Sequence, residues 1–96
     1  MGRTLAAAIG LASIAAATVA SAEPPAGAAS CSGCHPASTR VTSPVPRLAG
    51  RDQAAIVKAM QDFRSGQRAA TVMDRIAKGF TDEEVQAIAA WYATQK

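Results

Sequence analysis

The pentapeptide Cys31-Ser32-Gly33-Cys34-His35 constrains this chain more than any other feature. It contains both cysteines and the single histidine of the 96 residues. On one helical turn, two cysteines three apart face the same side, and the residue that follows points its imidazole the same way. That is the spacing at which c-type haem is attached: each thiol bonds one vinyl group, and the histidine meets the iron from that side. Thiols used up as thioethers no longer titrate. Three other chemistries use part of the pattern. A thioredoxin-like thiol–disulfide enzyme also carries Cys-x-x-Cys, but within βαβ units, and no strand-like alternation appears here. A zinc site needs four ligands, whereas Cys31, Cys34 and His35 are three, with no other Cys or His in the chain. A plain disulfide would close a very small loop, stabilise little, and leave the adjacent His35 without a role.

The N-terminus has its own pattern. Met1–Thr4 carries one positive side chain, Leu5–Val19 is fifteen residues without a charge, and Ala20-Ser21-Ala22 has small residues where signal peptidase needs them. This predicts a secretory signal peptide over residues 1–22, cleaved after Ala22, and a mature domain over residues 23–96. The rival, an uncleaved anchor, suffers because the apolar run is short and poor in large side chains. The expected location is the periplasm, where bacterial haem attachment takes place.

Composition matters mainly for what the remaining 74 residues can bury. They include two Phe, one Tyr and one Trp, which is marginal for a self-supporting core. Chains of this size usually need a staple, and a covalently tethered porphyrin is one. The mature segment carries nine Lys/Arg against seven Asp/Glu, a mild +2. No run of Lys/Arg exceeds one residue, so nothing suggests a nucleic-acid surface.

Punctuation and periodicity point to an all-α class, with three main helices and a fourth short one. Residues 27–34 are small and can form a short helix. His35–Gly50, with Pro36, Pro44 and Pro46, reads as a long irregular stretch, suspicious in so small a domain unless it wraps something. From Asp52, the residues Ala55, Ile56, Ala59, Met60 and Phe63 fall at helical spacing, and Gly66 is a natural stop. A short helical turn follows over Val72–Lys78, closed by Gly79. Thr81 and Glu84 then form a capping box, with Phe80 and Val85 at the staple positions. Asp82, Glu83 and Glu84 suit the positive end of that helix. Val85, Ile88, Ala89 and Tyr92 make its apolar stripe, with Trp91 on the flank.

A haem iron held by His35 needs a sixth ligand or an open position. Met1 leaves with the signal peptide, so the candidates are Met60 and Met73. Met60 lies on the apolar face of the middle helix, where methionine is usually core filling. Met73 lies 38 residues after His35, between glycine-punctuated segments free to cross the far haem face, and is favoured. His/Met ligation gives a comparatively high-potential iron suited to electron transfer. His35 should donate its free ring N–H to a carbonyl, which fixes the tautomer. Pro44 is the expected source; the alternative is that Pro44 and Pro46 only stiffen the loop. Leu48, Ile56, Phe63, Val72, Ile76 and Ile88 are candidates for either haem wall or ordinary core.

With these residues in place, the sequence resembles a class I cytochrome c over essentially all of Gly27–Gln95. The resemblance rests on CSGCH, SPVPRLAG, AAIVKAMQDFRSGQR, TVMDRIAKGF and TDEEVQAIAAWYATQ. It implies one covalent haem c wrapped by helices, with Cys31 and Cys34 as attachment points, and His35 and Met73 as iron ligands. It also implies that Pro44 accepts from His35, and that Trp91 or Tyr92 packs across Gly27 or Ala28. Two departures stand out: Pro36 replaces the usual glycine after the histidine, and Ser43 replaces the one before Pro44. The combination SGQR, TVMDRIAKGF and TDEEVQAIAAWYA most resembles the cytochrome subunit of flavocytochrome c sulfide dehydrogenase. That implies an FAD-containing partner which oxidises sulfide, a downstream electron acceptor, and no bond chemistry by this chain itself. The second expectation is a free soluble cytochrome shuttling electrons between respiratory complexes; a thiol–disulfide oxidoreductase is a minor third. Arg47, Arg51, Lys58, Arg64, Arg68, Arg75 and Lys78 either steer an acidic partner or are simply solvated charges.

Overall fold

The computed structural model describes residues 2, 9–15 and 23–96; the cleavage point expected after Ala22 lies outside the described residues. Four helices follow in order: α1 (Ala28–Cys31), α2 (Gln53–Ser65), α3 (Met73–Ala77) and α4 (Asp82–Thr94). No strand occurs among the described residues, and no helix among them is long and apolar enough to cross a membrane.

The two long helices start and stop where local chemistry dictates. The Asp52 carboxylate accepts from the Ala55 N–H at 3.0 Å, capping α2. Gly66, at φ 80°, ends it in the left-handed conformation that glycine adopts without penalty. At α4 the capping box closes in both directions. Thr81 N–H donates to Glu84 at 2.8 Å, and Glu84 N–H donates to the Thr81 hydroxyl at 3.2 Å. Helix α3 is a five-residue turn between Val72 and Lys78.

The first helix is shorter than the sequence suggests, only four residues. Pro24 and Pro25 precede it, and Gly27 enters it at φ 86°, so it has no room to extend backwards. Its turn still continues forward through the pentapeptide. Cys34 and His35 both donate backbone N–H groups to the Cys31 carbonyl, at 3.2 and 2.9 Å.

The core sits where α1, α2 and α4 meet. Ala28, Ile56, Ile88, Ala89 and Tyr92 form it, with Leu48, Val57, Phe80 and Trp91 packed around. The α4 stripe is buried as its periodicity predicts. On α2, however, only Ile56 is buried; Ala59, Met60 and Phe63 remain partly exposed and face a cleft instead.

Tyr92 connects the parts. Its hydroxyl donates to the Ala28 carbonyl at 2.7 Å and accepts from the Ser32 hydroxyl at 2.8 Å. Its own carbonyl accepts from Gly50 N–H at 3.0 Å. The expected aromatic-on-small contact is thus Tyr92 on Ala28. Gly27 faces Phe80 instead: a Cβ there would lie 2.8 Å from Phe80 Cε1.

Candidate functional site

One cleft of about 540 Å3 runs between the pentapeptide turn, the proline loop, α2 and α3. One wall carries Cys31, Cys34 and His35; Pro44, Val45, Pro46 and Leu48 continue it. Ile56, Ala59, Met60 and Phe63 of α2 form a second wall, and Val72, Met73 and Ile76 a third, with Phe80, Val85 and Ile88 behind. The size suits a cofactor, and the lining is mostly apolar with few polar groups.

The sequence left Leu48, Ile56, Phe63, Val72, Ile76 and Ile88 as either haem wall or ordinary core; all six line the cleft, and Ile56 and Ile88 also belong to the buried core. Both candidate methionines line it too, Met60 from α2 and Met73 from the first residue of α3. The alanines and Thr71 between Arg68 and Val72 also line it and were not foreseen. Their signal is faint, since small residues without periodicity read as loop.

Cys31 and Cys34 are not bonded to each other; Cys31 is half-buried and Cys34 exposed. The Cys31 Sγ–H lies 3.7 Å from the Gly27 carbonyl. Burial pushes the Cys31 thiol above its ordinary range, opposed by the Ser30 side chain and its own backbone. Among the described residues, no group of three or more His, Cys, Asp or Glu side chains converges as a metal cage. The thioredoxin-like reading needs strands, and the described residues form none.

His35 is oriented by its loop. Its Nδ1 lies 2.6 Å from the Pro46 carbonyl oxygen. A carbonyl only accepts, so Nδ1 carries the proton and donates, and Nε2 is left with its lone pair for a metal. This corrects the expectation of Pro44, which lines the cleft without taking that bond. The reason lies in the local turn. Val45 N–H donates to the Ser43 hydroxyl at 3.1 Å, folding the chain around Pro44. Pro46 stands one residue away from Leu48-Ala49-Gly50, which is tied down by Arg51 N–H to the Leu48 carbonyl and Gly50 N–H to the Tyr92 carbonyl. The carbonyl that can be held still is therefore the one nearer the anchor.

These residues fit a covalently attached porphyrin. Two thiols and a correctly protonated imidazole share one helical turn and open onto one apolar cleft. Val72 and Ile76, two of the three exposed large apolar side chains in residues 23–96, line that cleft. A flat apolar group seated there would cover them.

No model of a known protein family matches the chain. Individual proteins do. The cytochrome c-554(548) of Halomonas halodenitrificans is 31% identical over 70 residues, 69% of this chain and 84% of its own length. The chain is a class I c-type cytochrome. This makes it a member of a family of electron-transfer haem proteins, with haem c as the cofactor and an all-α fold. The cytochrome is also similar to the cytochrome subunit of sulfide dehydrogenase from Chlorobaculum tepidum, 41% identical over 63 residues, 66% of this chain and 57% of that protein. A third relative is the cytochrome c4 of Pseudomonas aeruginosa, 34% identical over 70 residues, 72% of this chain and 35% of that protein. The cytochrome thus spans only part of the length of the latter two.

Proposed function

We propose that this cytochrome is a periplasmic monohaem electron carrier that receives electrons from the FAD-containing subunit of a sulfide dehydrogenase. The observation behind it is the cleft itself, which joins Cys31, Cys34, His35 and Met73, read with the likeness to the sulfide dehydrogenase subunit. In this reading residues 1–22 are removed on export and residues 23–96 form the working domain. Cys31 and Cys34 would hold the cofactor as thioethers, and His35 Nε2 and Met73 Sδ would be the ligands of its iron.

Haem so held supplies a one-electron iron couple. The residues do the rest. Pro46 holds the Nδ1 proton of His35, which fixes the ring plane and makes Nε2 a better donor. Met73, at the start of a short helix braced by α2, offers a soft neutral ligand that favours the ferrous state. The α2 wall and Phe80 exclude water, so little solvent must reorient when the charge changes. No side chain here is placed to make or break substrate bonds; sulfide would react on the partner subunit, and a later acceptor would take the electron.

A free-standing soluble carrier is the second reading. The Halomonas relative favours it, because this chain spans 84% of that small cytochrome. Size-exclusion of native material separates the two: co-elution with a flavin-containing subunit supports the first, a lone small red species the second. For the ligands, Met73→Ala should change the ferric spectrum and lower the potential, with Met60→Ala leaving both near wild type; the reverse pattern would overturn the assignment of Met73.

A further inference from the structure

The arginines named in the sequence sort into different jobs. Arg47 donates to the carbonyls of Ala37 and Lys96, bracing the proline loop. Arg51 and Arg68 line the cleft itself, and Arg64 does not. Arg64 follows Phe63 on α2 and reaches the far end of α3. There its guanidinium meets three acceptors between residues 77 and 82. Nε donates to the Ala77 carbonyl at 3.4 Å, and the terminal nitrogens donate to the Phe80 carbonyl at 2.8 Å and the Asp82 carboxylate at 2.5 Å. The Arg64 side chain is 31% exposed and that of Asp82 72%, so solvent weakens the ion pair more than the carbonyl bonds.

What this clamp holds decides what it does. Helix α3 is five residues long, too short to persist on its own hydrogen bonds. Its first residue is Met73, which lines the cleft. Upstream the chain is barely tied. Arg68 N–H donates to the Asp62 carbonyl at 3.2 Å, and residues 69–71 form no hydrogen bond among the described residues. Downstream the ties gather: Gly79 N–H donates to the Ile76 carbonyl at 3.0 Å, Ala77 is fully buried, and Arg64 grips the carbonyls beyond. A cation there also suits the negative end of α3 and satisfies carbonyls the helix leaves open. Met73 is therefore held from the C-terminal side of its own helix.

We propose that Arg64 is a positioning residue for Met73. By fixing the end of α3 to α2 and to the start of α4, it keeps the Met73 thioether on the cleft, so that an outside ligand must displace it to reach the iron. Guanidinium suits the task because one rigid fork serves several acceptors at once. The inference rests on the reading of Met73 as an iron ligand given above. The exchange it resists swaps one lone-pair donor for another, thioether sulfur for imidazole nitrogen, with no electron or proton transferred.

The test is spectrophotometric titration of the ferric, haem-loaded protein with imidazole, beside denaturant unfolding of the same samples. Met73→Ala sets the limit for an unprotected site. Arg64→Met, which keeps the stem and removes every donor, should bind imidazole about tenfold more tightly than wild type, the worth of about one charged hydrogen bond. Arg64→Lys keeps the charge without the fork and should fall between the two. Asp82→Asn should stay within about threefold of wild type, because that pair is exposed. Thr81→Ala weakens the start of α4 at the same joint without touching α3, so its imidazole affinity should match wild type whatever it costs in unfolding. Arg64 variants that lose stability yet bind imidazole no more tightly than Thr81→Ala would overturn the proposal while leaving the Met73 reading intact. If Arg64→Met fails to mature, Arg64→Lys decides by the same criterion. A wild-type protein that binds imidazole as tightly as Met73→Ala would overturn both.

Discussion

Residues 52–94 and residues 27–50 hold their shapes by different means. In the first, two thirteen-residue helices carry caps at their starts, and a short helix joins them. Arg64 bridges the joints, and Val85, Ile88, Ala89 and Tyr92 bury one continuous stripe. In the second, regular structure is four residues long, and order comes from scattered polar contacts: His35 to Pro46, Arg47 to Ala37, Gly50 to Tyr92. The buried apolar set is correspondingly small. It has seven members among the described residues, three of them alanine. The helical part takes its helix bounds from local signals, but the α2 and α3 residues that line the cleft still need something to cover them. The part that carries the cysteines needs the helical part on one side and the cofactor on the other.

This contrast can be broken or sharpened by substitution. The largest effect is expected from Cys31→Ala with Cys34→Ala. The chain should carry no covalent haem by mass, and far-ultraviolet circular dichroism should show most helicity lost, because the apolar cleft walls then have nothing to cover them. A protein that keeps its full helicity would show that the helical part needs no cofactor.

Next comes Tyr92, where the two parts join. Tyr92→Ala should cost about 3–5 kcal/mol in denaturant unfolding, combining a lost aromatic with a cavity. Tyr92→Phe should cost about 1 kcal/mol, since it removes only the hydroxyl that serves Ala28 and Ser32. Equal losses would mean that ring packing matters little there. Gly27→Ala follows, at about 1–3 kcal/mol: the new Cβ must sit at φ 86° and meets Phe80 at 2.8 Å. The smallest is Thr81→Ala, about 1 kcal/mol from the capping box of α4. Its visible spectrum should match the wild type, since nothing it touches lines the cleft walls that carry the cysteines, His35 or the methionines.

The same division explains what the sequence could reveal. Asp52, Gly66 and the Thr81–Glu84 pair are local signals, each complete within four residues, so the bounds of α2 and α4 were legible. The pentapeptide was legible for the same reason, its three functional groups lying on one turn. The choice between Pro44 and Pro46 was not. It depends on which carbonyl the Tyr92 anchor holds still, a contact between residues far apart in the chain. The roles of the arginines were hidden likewise. Arg47, Arg51, Arg64 and Arg68 look alike in sequence, and only tertiary placement separates loop brace, helix tie and cleft wall. The apolar stripe of α2 misled in one respect. Its periodicity announced burial, but Met60 and Phe63 face the cleft rather than the packed core.

The Tyr92 hydroxyl has a consequence for the order in which the molecule is made. Its partners Ser32 and Ala28 lie 60 and 64 residues upstream. A polypeptide emerging N-terminus first therefore presents its Cys-Ser-Gly-Cys-His segment long before the clasp that will immobilise it exists. On the proposed haem reading, that interval leaves the segment open for attachment of the cofactor, and the final helix closes over it afterwards.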